Sequence, residues 1–346
     1  MVENFTSTMA SIVPFAILKG HEEDRIWHLS WSKDGKYLAS SGEDKVIRIW
    51  KFGMNDVESN VSTSYDISCI STLEDGQSRT IRCCEWSNSG NMIASASFDG
   101  TVFLWAALSK DKRKWEKIAS LEGHDNEVKS VTWNSSDDRL ATCGRDKKIW
   151  VWEILPGGEF ECVAVLEGHT QDVKFLAWHP NLAIMFSCSY DDTIRVWREE
   201  DEDEWVCSQV LTGHKSTVWG LTFDQSGCEM ISCSDDKSLI LWRAVATGAE
   251  QEYMSVATLT GSHSGPIYSV HRRENLVLTA GGDNAISLCS ATDDGLLQSL
   301  LTYNNAHEAD VNCIRWRPCA IDSTDQLIFA TAGDDGLVKL WKVSLH

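Results

Sequence analysis

The sequence predicts an all-β fold, a closed ring of seven four-stranded blades. The main observation is a repeat: seven times an Asp follows a Ser or Thr by four residues, and in six of the seven a Trp follows that Asp by six. A His, usually in a Gly-His pair, precedes six of the repeats. A period of about 45 residues with this signature is typical of WD40 β-propeller blades.

Within each repeat, the Asp is expected in the tight turn between the second and third strands, with the Ser or Thr and the Trp on those strands. A buried carboxylate is costly unless it is paired, so the His should bind the Asp and the indole N–H should find the hydroxyl. Four of the complete sets given this structural role are His21, Ser40, Asp44, Trp50; His124, Thr142, Asp146, Trp152; His169, Ser187, Asp191, Trp197; and His214, Ser232, Asp236, Trp242, and the last repeat has His307, Thr331, Asp335 and Trp341 at the same places. Repeat six has Cys289 in the Trp place.

The ends of the chain predict how the ring closes. The last repeat stops at its third strand, residues 337–343, and residues 15–18 form an apolar segment before the first repeat. We expect that segment to supply the missing outer strand, since this leaves few open sheet edges. The predicted organisation is a flexible tail, residues 1–14, followed by one propeller, residues 15–346.

Composition favours a cytoplasmic and also nuclear location. The chain has no apolar run long enough to span a membrane, and its N-terminus lacks the pattern of a signal peptide. The 12 cysteines are then expected to be reduced, and none lies in a Cys-x-x-Cys pair. Adjacent Cys83 and Cys84 should point to opposite sides of a strand, which is poor geometry for a shared ligand. We expect neither a metal nor a cofactor bound directly.

Charge and motifs exclude other classes. A net charge of −20 argues against direct nucleic-acid binding. The sequence shows no nucleophile with an adjacent base, so we do not expect an enzyme. Six consecutive acidic residues, 199–204, are interpreted as a solvated loop, with a docking strip for a basic partner as the alternative. Residues 51–68, rich in Asn, Ser and Asp, are interpreted as a flexible excursion of blade one.

Two positions in each repeat are expected at one exposed end of the ring. The first follows the apolar residue that opens each inner strand: Trp27, Arg82, Lys129, Lys174, Trp219, Tyr268 and Asn312. The second precedes each turn Asp: Glu43, Phe98, Arg145, Tyr190, Asp235, Gly282 and Asp334. Basic and aromatic side chains together are typical of interaction surfaces. The alternative is that the lysines are ordinary solvated charges and that the aromatics pack on their own blades.

Several stretches outside the repeat signature resemble one family. They are residues 94–99 (ASASFD), 121–131 (LEGHDNEVKSV), 140–147 (LATCGRDK), 169–174 (HTQDVK), the acidic tract ending in residues 205–207 (WVC), and 216–219 (STVW). Together they are similar to the WD-repeat subunit of the cytosolic iron–sulfur protein assembly targeting complex. The chain departs from that family at Gly144 and at residues 196–198 (VWR), and repeat six is relaxed, with Arg272 at a usually apolar place.

The resemblance implies a non-enzymatic adaptor that helps deliver [4Fe–4S] clusters to cytosolic and nuclear apoproteins. Its implied partners are a MIP18-family assembly factor, a HEAT-repeat scaffold and iron–sulfur client proteins, with this chain a monomer in the hetero-complex. Arg145 matches the exposed arginine of the family that serves client maturation. A peptide-reading receptor in a chromatin or ubiquitin-ligase complex would use the same face, so that alternative stays open.

Overall fold

The architecture is a ring of seven blades. The computed structural model describes residues 10–55, 64–74, 76–155, 157–201, 204–245, 251–292, 294–318 and 327–345. Over these ranges the chain forms 28 β-strands in seven four-stranded antiparallel sheets and no α-helix. The prediction of an all-β, seven-bladed propeller is confirmed. No helix of membrane-spanning length or character occurs in the described ranges.

The strands follow the chain blade by blade, after an initial strand β1 (Ala10–Lys19). Blades 1 and 2 consist of β2 (Ile26–Trp31), β3 (Tyr37–Gly42), β4 (Ile47–Asn55), β5 (Ser64–Leu73), β6 (Ile81–Trp86), β7 (Met92–Ser97), β8 (Val102–Ala107) and β9 (Trp115–Leu121). Blades 3 and 4 consist of β10 (Val128–Trp133), β11 (Arg139–Gly144), β12 (Ile149–Ile154), β13 (Phe160–Leu166), β14 (Val173–Trp178), β15 (Ile184–Ser189), β16 (Thr193–Asp201) and β17 (Glu204–Thr212). Blades 5 to 7 consist of β18 (Val218–Phe223), β19 (Glu229–Ser234), β20 (Ser238–Ala244), β21 (Tyr253–Thr260), β22 (Ile267–Arg273), β23 (Leu276–Gly281), β24 (Ile286–Ala291), β25 (Leu297–Tyr303), β26 (Val311–Trp316), β27 (Leu327–Gly333) and β28 (Leu337–Leu345).

The core lies between the blades. Seven apolar clusters occur, each joining neighbouring blades; in one of them Ile49 of blade 1 packs with Ile93 of blade 2. Because both faces of a blade are covered, the middle strands β3 and β15 are buried at every residue. Small Ser, Ala and Cys side chains therefore fill these strands, and the sequence repeats them for that reason.

Ring closure follows the prediction, but it starts earlier in the chain. Strand β1 pairs antiparallel with β28, from Ala10 opposite Leu345 to Lys19 opposite Leu337. The predicted tail boundary at residue 14 is therefore wrong for residues 10–14, because Ile12 is only 6% exposed and packs in the cluster of Trp341 and Val343. Residues 1–9 of that predicted tail lie outside the described residues.

Two segments interpreted as loops are largely hairpins. Strands β4 and β5 continue into the predicted excursion 51–68 and pair with each other there. In this hairpin ladder Phe52 packs on Tyr65, with ring centroids 4.9 Å apart. The acidic tract is likewise strand on both sides, and Glu199 accepts hydrogen bonds of 2.7 and 2.8 Å from Arg139 of blade 3. Cross-strand packing and this ion pair therefore overturn the loop interpretation, while residues 56–63 and 202–203 lie outside the described residues.

Candidate functional site

The repeated His, Asp, Ser or Thr, and Trp side chains form one hydrogen-bonded set within a blade. In blade 4 the His169 Nδ1–H donates to Asp191 (2.7 Å), the Ser187 hydroxyl lies 2.7 Å from Nε2, and the Trp197 indole donates to that hydroxyl (2.8 Å). Since a carboxylate can only accept, the hydrogen of the imidazole lies on Nδ1 and the hydroxyl donates to Nε2. The same contacts occur in blades 1, 3, 5 and 7, where the histidines are His21, His124, His214 and His307.

Burial and hydrogen bonding fix the protonation of the blade 4 set. Burial lowers the pKa of His169, although Asp191 opposes the shift. Burial alone would raise the pKa of Asp191, but hydrogen bonds from His169 and Thr193 outweigh it and hold that pKa well below its usual range. In blade 4 a neutral imidazole is therefore hydrogen-bonded to an ionised carboxylate in the interior of the blade. The set has a structural role.

Blades 2 and 6 solve the same problem differently. In blade 2, Gln77 replaces the histidine, and its side-chain oxygen accepts from the Ser95 hydroxyl at 2.9 Å. In blade 6, His263 still contacts Thr279 at 2.8 Å, while the Trp place holds the fully buried Cys289. Blade 6 is thus the one in which the indole of the set is absent.

A bulge in every inner strand creates the candidate site. In each blade the pairing register shifts across the first three residues of the inner strand, for example between Val173 and Phe175 in blade 4. A bulge re-aims the extra side chain out of the ladder. The seven residues so placed line one end of the central channel, here called the channel mouth: Trp27, Arg82, Lys129, Lys174, Trp219, Tyr268 and Asn312.

Each cation of the channel mouth contacts an aromatic ring. The Arg82 guanidinium lies 5.0 Å from the Trp27 ring centre. The Lys129 ammonium lies 4.9 Å from the ring of Phe98. Lys174 is held between the Tyr190 ring at 5.1 Å and the Trp219 ring at 5.2 Å, and Trp219 packs edge-on against Tyr268. Eight of the nine predicted binding residues therefore belong to this arrangement.

The ninth residue, Arg145, lies beside the channel mouth, with 56% of its side chain exposed. Its Nη1 is 3.5 Å from the Glu127 carboxylate, which also lies 3.3 Å from the Lys129 ammonium and 3.1 Å from Arg79. Asp172 in turn contacts Lys174 at 3.3 Å. Sequence reasoning missed Glu127, Asp172 and Arg79.

A signal for the two acids was present. Each stands two residues before its lysine, immediately before the inner strand begins, in the sequences Glu127-Val128-Lys129 and Asp172-Val173-Lys174. Burial alone would raise the pKa of Glu127, but Lys129 and Arg79 outweigh it and the pKa is lowered. Glu127 is therefore ionised, and together with Asp172, which contacts Lys174 and Lys129, it partly neutralises the basic side of the channel mouth.

Arg82 differs from the other cations of the channel mouth. Among the described residues no carboxylate lies within ion-pair distance of its guanidinium, and its contact is the face of Trp27. Burial lowers the pKa of Arg82, but a guanidinium stays charged in proteins. A cation that is desolvated and unneutralised is a strong site for an anionic group.

The opposite side of the channel mouth is aromatic and acidic. The Trp219 indole N–H donates to Asp235 at 3.4 Å, and the Tyr268 hydroxyl donates to Asp310 at 3.3 Å. Burial, with Asp310 nearby, raises the pKa of Tyr268 to about 12, so the phenol remains a donor. The channel mouth thus has a basic side, from blades 2 to 4, and an aromatic side, from blades 5, 6 and 1.

At the far end of each inner strand, sequence reasoning missed a second set of aromatic residues. Most blades place a tryptophan there, and in blade 3 the Trp133 indole donates to the Glu85 carbonyl of blade 2 at 3.2 Å. Blade 6 has Arg272 at this register. The signal is a Trp five residues after the strand opens: Trp31, Trp86, Trp133, Trp178 and Trp316.

Seven cysteines of the described residues are buried and pack as apolar residues, whereas Cys69 and Cys228 are exposed. Cys83 belongs to the cluster between blades 2 and 3 and Cys84 to the cluster between blades 1 and 2, so the two thiols point to opposite sides as predicted. Burial raises the pKa of Cys83 to about 12. Across the described ranges, no three His, Cys, Asp or Glu side chains converge as metal ligands would.

Comparison with known proteins places this geometry in a family. The WD domain, G-beta repeat family model matches residues 12–51, 67–106, 115–153, 160–198, 205–243 and 297–342. Each segment runs from the outer strand of one blade to the third strand of the next, and β22, β23 and β24 of blade 6 lie between the last two segments. The matches agree with the strand bounds to within a few residues at most ends.

Two similar proteins are named for cytosolic iron–sulfur protein assembly, and a third is named CIA1. Protein CIA1 of Arabidopsis thaliana is 42% identical over 356 residues, covering 96% of this chain and 97% of the relative. The probable cytosolic iron-sulfur protein assembly protein 1 of Vanderwaltozyma polyspora is 36% identical, covering 94% and 97%. The match to the probable CIAO1 homolog of Caenorhabditis elegans, at 35% identity, spans 39% of this chain and 38% of that relative. The chain therefore belongs to the WD40-repeat family of cytosolic iron–sulfur protein assembly proteins.

Proposed function

We propose that this chain is a non-enzymatic adaptor in cytosolic iron–sulfur protein assembly and that it binds protein partners at the channel mouth. The process is the one for which a near full-length relative is named, and a second such relative is CIA1. The observation that carries the binding site is the ring of cations and aromatic rings that seven equivalent bulges aim at one opening. Desolvated aromatic and arginine side chains at one place are typical of interface hot spots.

The chemistry of the basic side specifies an acidic partner segment. Lys129 and Lys174 share Glu127 and Asp172, so their charges are partly balanced within the chain. Arg82 brings a charge that no described carboxylate balances, and half-exposed Arg145 extends the positive surface outward. An incoming Asp or Glu would replace solvent around Arg82 without displacing an existing ion pair.

For the partners we propose a MIP18-family assembly factor, a HEAT-repeat scaffold and iron–sulfur client proteins, in the cytoplasm and the nucleus. The iron–sulfur cluster is the cargo of the complex, and we propose that no group of this chain ligates it. The buried thiols support that view, because burial raises the pKa of Cys83 and of Cys143 and so disfavours the thiolate that binds metal.

The test is a binding measurement with purified components. Wild type, Arg145→Glu and Arg82→Gln are assayed against a MIP18-family factor and against an iron–sulfur client, at ionic strengths of about 0.01 M and 0.15 M. Lys215→Glu is the matched control, because Lys215 is exposed, lies in blade 5 and makes the same charge change as Arg145→Glu. Circular dichroism checks that each variant is folded.

We expect Arg145→Glu and Arg82→Gln to weaken binding of one partner by about tenfold or more, with Lys215→Glu within about twofold of wild type. Normal binding by both channel-mouth variants would place the interface elsewhere on the propeller. Failure of wild type to bind either partner would instead remove the iron–sulfur role, and acidic peptides from chromatin or ubiquitin-ligase complexes would then be tested on the same face.

A further inference from the structure

A second basic surface lies on the face opposite the channel mouth, between blades 1 and 2. Three turns form it: the turn from β2 to β3, the turn from β6 to β7, and the turn from β8 to β9. Four lysines line the cleft between them, beside Tyr37 and Ser89. This surface, here called the lower basic cleft, is defined by Lys33, Lys36, Lys110 and Lys112.

The charge of the lower basic cleft contrasts with that of the chain. Residues 33–36 and 110–117 together carry seven Lys or Arg and three Asp or Glu, a net charge of +4 in a chain whose net charge is −20. The two segments are far apart in the sequence, yet the fold brings their lysines to one cleft. Like charges placed together cost free energy, so a ligand of opposite charge would relieve a real repulsion.

Most of the lysines of this surface have no carboxylate partner. Lys36 lies 3.6 Å from Asp34, and the ammonium of Lys112 donates to the Asn91 side chain at 2.9 Å. Lys33, Lys110 and the neighbouring Lys114 are exposed, and no carboxylate of the described ranges lies within ion-pair distance of them. The positive charge is therefore available to a partner.

The backbone holds the turns in place. The amide of Lys112 donates to the Ser109 carbonyl at 3.1 Å, and the amide of Leu108 donates to the Lys114 carbonyl at 2.9 Å. On the other side, the Arg317 guanidinium donates to the Gly35 carbonyl at 2.8 Å. Binding would then order lysine side chains but no backbone, which lowers its entropic cost. Leu108 is 61% exposed and adds an apolar contact at the rim.

We propose that the lower basic cleft is a docking surface for an acidic, leucine-containing segment of a partner protein, separate from the channel mouth. The exposed ammonium groups of Lys33, Lys36 and Lys110, which are spread over two blades, suit a run of Asp and Glu side chains, while Lys112 is buried and held by Asn91. A single phosphate would be recognised by converging donors or an arginine fork, and here the nearby Arg113 guanidinium lies 3.5 Å from Asp111.

The test uses the full chain and a fluorescein-labelled peptide of Asp and Glu residues with one Leu, which also carries a photo-cross-linker. Binding is measured by anisotropy for wild type, for the double variant Lys33→Glu with Lys110→Glu, and for Arg145→Glu at the channel mouth. The matched control is Lys19→Glu with Lys215→Glu, which makes the same change in net charge at exposed lysines elsewhere. Cross-linked residues are identified by mass spectrometry.

The expected result is that the cleft variant binds about tenfold more weakly than wild type, with the control within about twofold, and that cross-links fall in residues 32–37 or 108–114. In the cleft, binding should also weaken as ionic strength rises from about 0.01 M to 0.15 M. The proposal is overturned if the cleft variant binds like wild type, or if cross-links fall only at the channel mouth. It is also overturned if a phosphopeptide displaces the labelled peptide at a lower concentration than the unlabelled acidic peptide does. The same holds if wild type self-associates and the cleft variant does not, because the occupant would then be a second copy of the chain.

Discussion

Blades 4 and 6 have the same strands and the same bulge, but they are held together by different chemistry. Blade 4 has the full set, in which the Trp197 indole donates to the Ser187 hydroxyl at 2.8 Å. Blade 6 has Cys289 in the place of that indole. It also has Arg272 where blade 4 has Trp178 at the far end of the inner strand.

An ion triad replaces the missing aromatic packing of blade 6. Arg272 and Glu229 of blade 5 are each 8% exposed, and their side chains meet at 3.0 Å. The second oxygen of Glu229 accepts hydrogen bonds of 2.9 and 2.6 Å from Arg243. The interface between blades 5 and 6 therefore adds a largely buried ion triad to its apolar cluster, at the register where blade 4 has the Trp178 indole.

This difference leaves the candidate site unchanged. Lys174 of blade 4 and Tyr268 of blade 6 both reach the channel mouth from the same bulge. A blade can therefore exchange its internal fastening without moving the residue that it presents. Stability and binding should be separable by mutation in this protein.

The largest loss of stability is expected when blade 4 is given the residue that blade 6 has in the Trp place. Trp197→Cys removes a side chain that is 2% exposed and leaves the Ser187 hydroxyl without its indole donor. We expect a loss of about 3–5 kcal/mol in the free energy of unfolding, measured by urea denaturation. Trp197→Phe keeps most of the volume and should lose less, and equal losses in the two variants would mean that the indole N–H matters more than packing.

The next largest effect is expected from breaking the triad. Glu229→Ala leaves two guanidinium groups facing each other, one of them buried, and should cost about 3 kcal/mol in the free energy of unfolding. Glu229→Gln, which keeps hydrogen-bond acceptance, is the matched control and should cost less. Hydrogen exchange should localise the damage to β19 and β22, and protection lost evenly around the ring would contradict a local role for the triad.

The sequence predicts the ring so completely because its signature is local. The Ser187, Asp191 and Trp197 spacing lies within one hairpin, so no long-range contact has to be known to interpret it. Ring closure could also be predicted, since a blade without an outer strand leaves a gap that only the other end can fill. The start of β1 was missed because the residues around Ile12 show no strand pattern of their own. Their place in a strand depends on pairing with β28, where Ile12 lies opposite Val343.

The candidate site could be predicted only in part. The bulge position recurs in the sequence, so the residues that share the channel mouth follow from counting. The balance of charge there does not, because Asp172 contacts both Lys174 of its own blade and Lys129 of the preceding one. The lower basic cleft was missed for the same reason, since its lysines come from turns of two different blades.

A smaller loss of stability is expected from the reverse exchange, in which blade 6 is given the tryptophan of blade 4. Cys289→Trp inserts an indole into a fully buried site that has closed around a thiol, with Leu297 in the same cluster. Overpacking should cost about 1–3 kcal/mol in the free energy of unfolding, even though Thr279 offers the hydroxyl that an indole would bind. A gain in stability would instead show that blade 6 still has the cavity of a complete set and that the triad is an independent feature.

The smallest expected effect is on the pH dependence of stability in blade 4. Burial lowers the pKa of His169 in the folded protein, so below its ordinary value of 6.5 the unfolded chain binds more protons than the folded chain. This contribution to stability is present above that pH and is lost as the pH falls below it. His169→Gln, which copies the side chain that blade 2 uses at Gln77, should flatten the fall in the urea midpoint between about pH 6.5 and 5. Lys215→Glu should leave that slope unchanged, and an equal slope in His169→Gln and wild type would assign the pH dependence to groups outside the set.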